Sequence, residues 1–215
     1  MYAGQVNAQA RPISSDDPRA GLDGPVRTLF DRIPGLVATG VPDLPALGAA
    51  LVELAMDREY LARWVERLGD TSGALRIHAP ERGPRLAIVH RRQGEMGAVH
   101  DHGTWVALSP IVGLEAHRRY RVVGNGPSAR PEVVEALELE PPSSATLLPP
   151  DDLHDHGHIA GRGTPAYVLI LTGDDQRCLT RNEWDLATGR HRVLPPGDGG
   201  RWLATEPWPP DSSGH

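Results

Sequence analysis

From Gly73 onward, short runs rich in valine, isoleucine and leucine follow one another at roughly ten-residue intervals, separated by glycine, proline and aspartate. "PRLAIVHRR", "HDHGTWVALSPIVG", "EAHRRYRVVG", "PEVVEALELEP", "SSATLLPP", "HDHGHIAG" and "PAYVLILTG" are the members of this series. Such a cadence belongs to antiparallel sandwiches and barrels, whose tight turns consume residues of the kind this chain holds in quantity, 24 Gly and 21 Pro. The segment "NEWDLATGRHRVLPP" reads as a hairpin turning at Ala187 to Gly189. Ahead of the series, Leu47, Leu51, Leu54, Ala55, Leu61 and Trp64 recur at helical three- and four-residue steps, so two or three helices are expected before residue 70. The chain of 215 residues is long enough for one well-buried domain. Its expected parts are a flexible N-terminus over 1–20, a helical extension over 21–72, a β-barrel over 73–205 and a flexible C-terminus over 206–215.

Composition narrows the chemistry. A net charge of −6 without a basic cluster argues against a nucleic-acid partner and for a small molecule. All 22 basic residues are arginine, and the lack of lysine excludes Schiff-base and pyridoxal-phosphate catalysis. The single cysteine, Cys178, excludes an internal disulfide and cysteine-rich zinc or iron–sulfur sites, and is expected in the core. No signal-peptide apolar segment or membrane-length run occurs, so a soluble cytoplasmic protein without a membrane partner is expected, as a monomer or small homo-oligomer.

Among 10 histidines, five fall in two segments, "HDH" at 100–102 and "HDHGH" at 154–158. Side chains alternate along a strand, so His100 and His102 share a face from which Asp101 is turned away. Two imidazoles from one strand with a third from a distant one form a three-point metal attachment that leaves positions open. His78, His90, His117, His191 and His215 read instead as surface or hydrogen-bonded residues, and "HRRYR" at 117–121 as an exposed strand. Asp101 and Asp155 are expected in salt bridges or turn hydrogen bonds.

"GEMGAVHDH" and "PPDDLH" fit the two motifs of the cupins, jelly-roll barrels that hold a metal inside. More closely, "HDHGTW", "PDDLH" and the preceding helices resemble the cysteine dioxygenase type I group of thiol dioxygenases, including bacterial mercaptopropionate dioxygenases, over roughly residues 40–180. The resemblance implies a mainly β cupin jelly-roll β-barrel preceded by N-terminal α-helices. It also implies Fe(II) held by His100, His102 and His154, with O2 as co-substrate; Ni(II) is the alternative because imidazole sites prefer it to iron when it is available. His156, two residues further on the same strand face, is the alternative third ligand, and the spacing from Pro150 favours His154. Arg76 matches the group's carboxylate-binding arginine, a role that suits a planar two-pronged donor.

This chain departs from the pattern in three places. Val106 and Ala107 stand where many cupins have a fourth, carboxylate ligand, and no cysteine lies near "HDH" for a thioether. The group's Ser–His–Tyr relay falls on Val168, Ile170 and Thr172, leaving Tyr167, His156 or His158 as neighbours that could substitute. Trp105 reads as barrel packing or a substrate platform, and His156 and His158 as outer-sphere or loop-capping residues. The expected activity is oxidation of the sulfur of L-cysteine or a related thiol carboxylate. The altered relay leaves open a tailoring oxygenase of secondary metabolism, an O2-independent metal-dependent isomerase or hydrolase, and a ligand-sensing cupin without turnover.

Overall fold

The computed structural model describes residues 21–196, apart from positions 23, 39 and 126–128. The expected flexible ends at 1–20 and 206–215, and His215, lie outside the described residues.

Three helices come first: α1 (Gly24–Leu36), α2 (Leu44–Met56) and α3 (Arg58–Leu68). Asp43 starts α2 by accepting from Ala46 N at 3.1 Å, and Asp57, closing α2, starts α3 in the same way through Tyr60 N. Eleven strands follow: β1 (Gly73–His78), β2 (Arg85–His90), β3 (Val99–His100), β4 (Val106–Val112), β5 (Glu115–Val123), β6 (Arg130–Leu139), β7 (Ala145–Leu147), β8 (His154–Gly157), β9 (Tyr167–Thr172), β10 (Arg181–Asp185) and β11 (Arg190–Leu194). They form two antiparallel sheets, β1-β2-β9-β4-β7 and β11-β10-β3-β8-β5-β6.

The pairings β5·β6, β4·β7, β3·β8 and β2·β9 nest inside one another, as in one long hairpin rolled up so that alternate pairs fall in opposite sheets. That is the jelly-roll connection, and the fold is the expected mainly β architecture with helices in front. The β10–β11 hairpin turns where expected, with Gly189 at φ 69°.

Alternation along the strands sorts the side chains by layer. Leu86, Ile88, Leu169 and Leu171 pack outward with Leu47, Leu51 and Leu54 of α2 and with α1 and α3. Val89, Val106, Leu108, Leu147, Val168 and Ile170 point the other way, joined by Leu137 and Leu139 of β6, and form the apolar part of the barrel interior. On the second sheet, Val99, Tyr120, Leu153 and Trp184 cluster outward while the histidines of β8 and β5 turn in. Each fully buried leucine contributes about 1.5–3 kcal/mol, and the helices keep the first sheet's outer face dry.

β8 ends at Gly157, whose φ of 155° and tight approach to the backbone exclude any side chain: a Cβ there would lie 2.3 Å from the Glu95 carbonyl oxygen. That closeness lets Gly97 N donate to His156 O at 2.9 Å and His158 N to Glu95 O at 2.8 Å, tying the β8 end to the loop before β3.

Candidate metal centre

His100 and His154 are direct cross-strand partners on β3 and β8, which brings their side chains together on the interior face. β3 ends at His100, so His102 reaches the same place from a turn rather than from a continuing strand. Asp152 shapes that turn: its carboxylate accepts from His102 N at 2.9 Å and Gly103 N at 3.0 Å, with Gly103 at φ 66°. Asp101 is turned out, as alternation requires, and accepts from Asn182 N and Nδ2.

The three imidazoles are oriented through their Nδ1 atoms. His100 Nδ1 donates to Ala98 O and His154 Nδ1 to Asp152 O, each at 2.8 Å, while the Gln176 side-chain amide meets His102 Nδ1. This leaves Nε2 as the inward atom of His100 and His154, and one ring nitrogen from each of the three residues lies within 4.8 Å of the others. His100 Nε2 and His102 Nε2 are 3.1 Å apart. Two nitrogens bound to one ion at about 2.1 Å and at angles between octahedral and tetrahedral lie about 3.0–3.4 Å apart. The donor set therefore fits a divalent transition metal in type and orientation, and the His100–His102 pair fits it in separation. Val106, at the position of a fourth carboxylate ligand, faces the apolar interior.

Burial is the largest cause that keeps these rings neutral, and the cost of placing charge on several close imidazoles at once adds to it. The His100 pKa is lowered to about 4, and those of His102 and His154 fall well below the ordinary histidine value. The neutral imidazole is the form that binds metal.

Further groups continue the interior face past the cluster. His156, also on β8, places Nδ1 2.6 Å from Glu115 Oε1, with both side chains buried and the Glu115 pKa pushed well up by burial. The His156 and His154 ring centroids are 5.9 Å apart. His117, opposite His156 on β5, is 0 % exposed, and neither of its ring nitrogens has a hydrogen-bond partner. An unsatisfied buried polar group costs on the order of 1–3 kcal/mol, so this ring is dear to keep as packing alone. Arg91 Nε, at the end of β2, is also buried without a partner.

The structure brings His100, His102 and His154 together and sets His156 beside them. It does not bring Tyr167, Trp105 or His158 to the cluster. Tyr167 and Trp105 pack with the helices; the Tyr167 hydroxyl donates to Gly69 O at 2.9 Å and its ring stacks on His90. Odd and even residues of β9 face opposite ways, so only Val168, Ile170 and Thr172 face inward. His158 caps a loop, with Gly94 N donating to its Nδ1 at 3.2 Å. Arg76 is exposed on β1, opposite Ala87, and lines a cavity of about 10 Å³ with Arg85, Ile170 and Thr172.

Two expectations are corrected. Cys178 is exposed, since it ends a short 3₁₀ turn after β9. His117 is neither on the surface nor hydrogen-bonded, because the β5–β8 register turns it inward, and "HRRYR" is a strand with His117 and Tyr120 buried, Arg118 and Arg119 half-buried and only Arg121 exposed. Asp152, Glu115 and Gln176 were not singled out by sequence reasoning. Asp152 lies within the "PPDDLH" motif, whereas Glu115 and Gln176 are placed only by the fold.

No protein-family model matches the chain, and no curated protein matches it. Solved structures similar to it include an RmlC-like cupin family protein with a double-stranded β-helix fold from Methanocaldococcus jannaschii, at 11 % identity and a TM-score of 0.37, covering 52 % of this chain and 87 % of that one. A conserved protein with a double-stranded β-helix domain from Klebsiella pneumoniae gives 16 %, 0.37, 52 % and 83 %. A cupin-like protein from Thermotoga maritima gives 14 %, 0.35, 62 % and 85 %.

Proposed function

We propose that the chain is a metal-dependent oxygenase of cupin type that oxidises the sulfur of L-cysteine or a related small thiol carboxylate to the sulfinate. The observation carrying this reading is the neutral three-imidazole group with convergent ring nitrogens and no carboxylate among its ligand atoms. Overall, one thiol and one O2 give one sulfinic acid, and both oxygen atoms end on sulfur. Iron(II), with nickel(II) as the alternative, would be held by His100, His102 and His154 and would supply a Lewis acid that lowers the thiol pKa and open positions for O2.

The protein's own residues do the rest. Ala98 O, Asp152 and Gln176 hold the imidazoles in place before any ion binds. Leu108, Val168 and Ile170 exclude bulk water from the opposite side of the interior. Arg76 is the proposed carboxylate contact, with its guanidinium free to swing over the small cavity at the end of β1. The setting we propose is a reducing cytoplasm, with the protein acting as a monomer or small homo-oligomer without nucleic-acid or membrane partners. Among the described residues no helix is long and apolar enough to cross a membrane.

A second reading, an O2-independent isomerase or hydrolase on the same metal, is favoured by one observation: the Glu115–His156 pair is an imidazole held by a buried carboxylate beside the cluster. The test is anaerobic loading with Fe(II), addition of L-cysteine and 18O2, and mass spectrometry of the product. Cysteine sulfinate carrying two labelled oxygens is expected. Absence of O2 uptake across a panel of thiols, with iron and with nickel, would overturn the thiol reading.

A further inference from the structure

Among the described histidines, His117 is the one whose two ring nitrogens are both buried without a hydrogen-bond partner. It is fully enclosed. His90 bonds to Ala166 O and stacks on Tyr167, His158 bonds to Gly94 N, and His191 bonds to Asn182 Oδ1. Buried polar atoms in native proteins nearly always have partners, and an orphan marks the place of a water, an ion or a ligand.

The sheet fixes where this orphan lies. β8 runs between β3 and β5: His154 pairs with His100 on one side and Arg119 on the other, while His117 pairs with His156 and so lies diagonally beside His154. The His117 ring lies nearly parallel to that of His154, with centroids 5.3 Å apart. His117 is not among the three residues whose nitrogens converge. It therefore borders the metal group on the interior face without belonging to it.

We infer that His117 is a ligand-contacting residue: one of its free ring nitrogens hydrogen-bonds to the outer end of a small polar molecule or anion bound at the open positions of the metal group. This rests on the reading of His100, His102 and His154 as metal ligands, and it is independent of which thiol, if any, is the substrate. An imidazole here offers one donor and one acceptor, so it serves an anion or a neutral polar group through the appropriate nitrogen.

The test uses the cobalt(II)-loaded full-length protein and sodium azide as probe, with the visible spectrum reporting azide binding and elemental analysis reporting cobalt. His117→Phe keeps the ring shape and removes both nitrogens; His117→Gln restores a side-chain hydrogen-bonding group. The expected result is an azide Kd raised about 5- to 10-fold in His117→Phe, with Kd in His117→Gln nearer to wild type and cobalt content unchanged in both. Equal azide Kd values in wild type and His117→Phe would overturn the inference. Loss of cobalt in both variants would also overturn it, by making His117 a support of the metal itself. Failure to oxidise thiols would sink the proposed substrate and leave the azide result standing.

Discussion

The two walls of the barrel interior were built to opposite rules. The first sheet turns in Val89, Val106, Leu108, Val168 and Ile170, an apolar wall with Thr172 at one end. The second turns in His100, His154, His156, His117 and Glu115, all within a few strands of one another. The apolar wall gains stability from burial, whereas the histidine wall costs stability unless each nitrogen finds a partner. The difference shows where the fold has been spent on chemistry, and it also explains why the chain needs helices. The first sheet is covered on its outer face by α1 to α3, while the second leaves much of β6 in solvent.

The contrast can be broken most severely by giving the apolar wall a charge. Leu108 is fully buried opposite Ile170, and Leu108→Asp places a carboxylate where no donor waits. The cost exceeds about 4 kcal/mol, a large share of a domain's stability, so urea titration should show loss of the cooperative transition. A variant with a near-normal midpoint would show that water reaches this wall.

Acid should reveal the cost carried by the histidine wall. Burial lowers the folded-state pKa of His100 to about 4 and those of His117 and His156 to about 3, below the unfolded value of about 6.5. The fold holds these rings neutral and the unfolded chain protonates them first. Stability of the metal-free protein is therefore complete above about pH 6.5 and falls as pH drops toward the folded values. The urea midpoint of metal-free protein should be lower at pH 5.5 than at pH 7.5, and equal midpoints would mean that the rings protonate freely in the folded state.

The mildest test sharpens the wall rather than breaking it. Asp152→Ala removes the acceptor of His102 N and Gly103 N without touching a ligand, and metal affinity should fall about 10- to 100-fold in a competitive chelator titration while the urea midpoint of the metal-free protein falls only slightly. Unchanged affinity would assign the turn's shape to Gly103 alone.

Much of this was legible in the sequence, for definite reasons. Short runs punctuated by turn residues map onto strands because alternation and turn chemistry are local, and His100, His102 and His154 could be grouped because their motifs carry fixed spacing. What was not legible depends on register. His117 sits among arginines in "HRRYR" and reads as surface until β5 is paired with β8, which decides the face of every residue on it. Tyr167 is one residue from Val168, yet that single step turns it from the interior to the helices. Gln176 reaches His102 from a turn 74 positions along the chain, and Glu115 reaches His156 across 41, distances over which no local pattern operates.

The carboxylate and carbonyl of Asp152 engage both histidine-bearing segments at once, holding the turn at His102 through backbone N–H groups and the ring of His154 through its Nδ1. One residue thus makes the two segments a single piece of framework before an ion arrives. A framework of that kind is expected to keep its shape without an ion, so a chelator should leave the barrel's urea midpoint near that of the untreated protein. Which ion such a site would take is then set by supply and by the intrinsic preference of imidazole nitrogen, in the order manganese, iron, cobalt, nickel, copper, more than by any rearrangement of the protein around it.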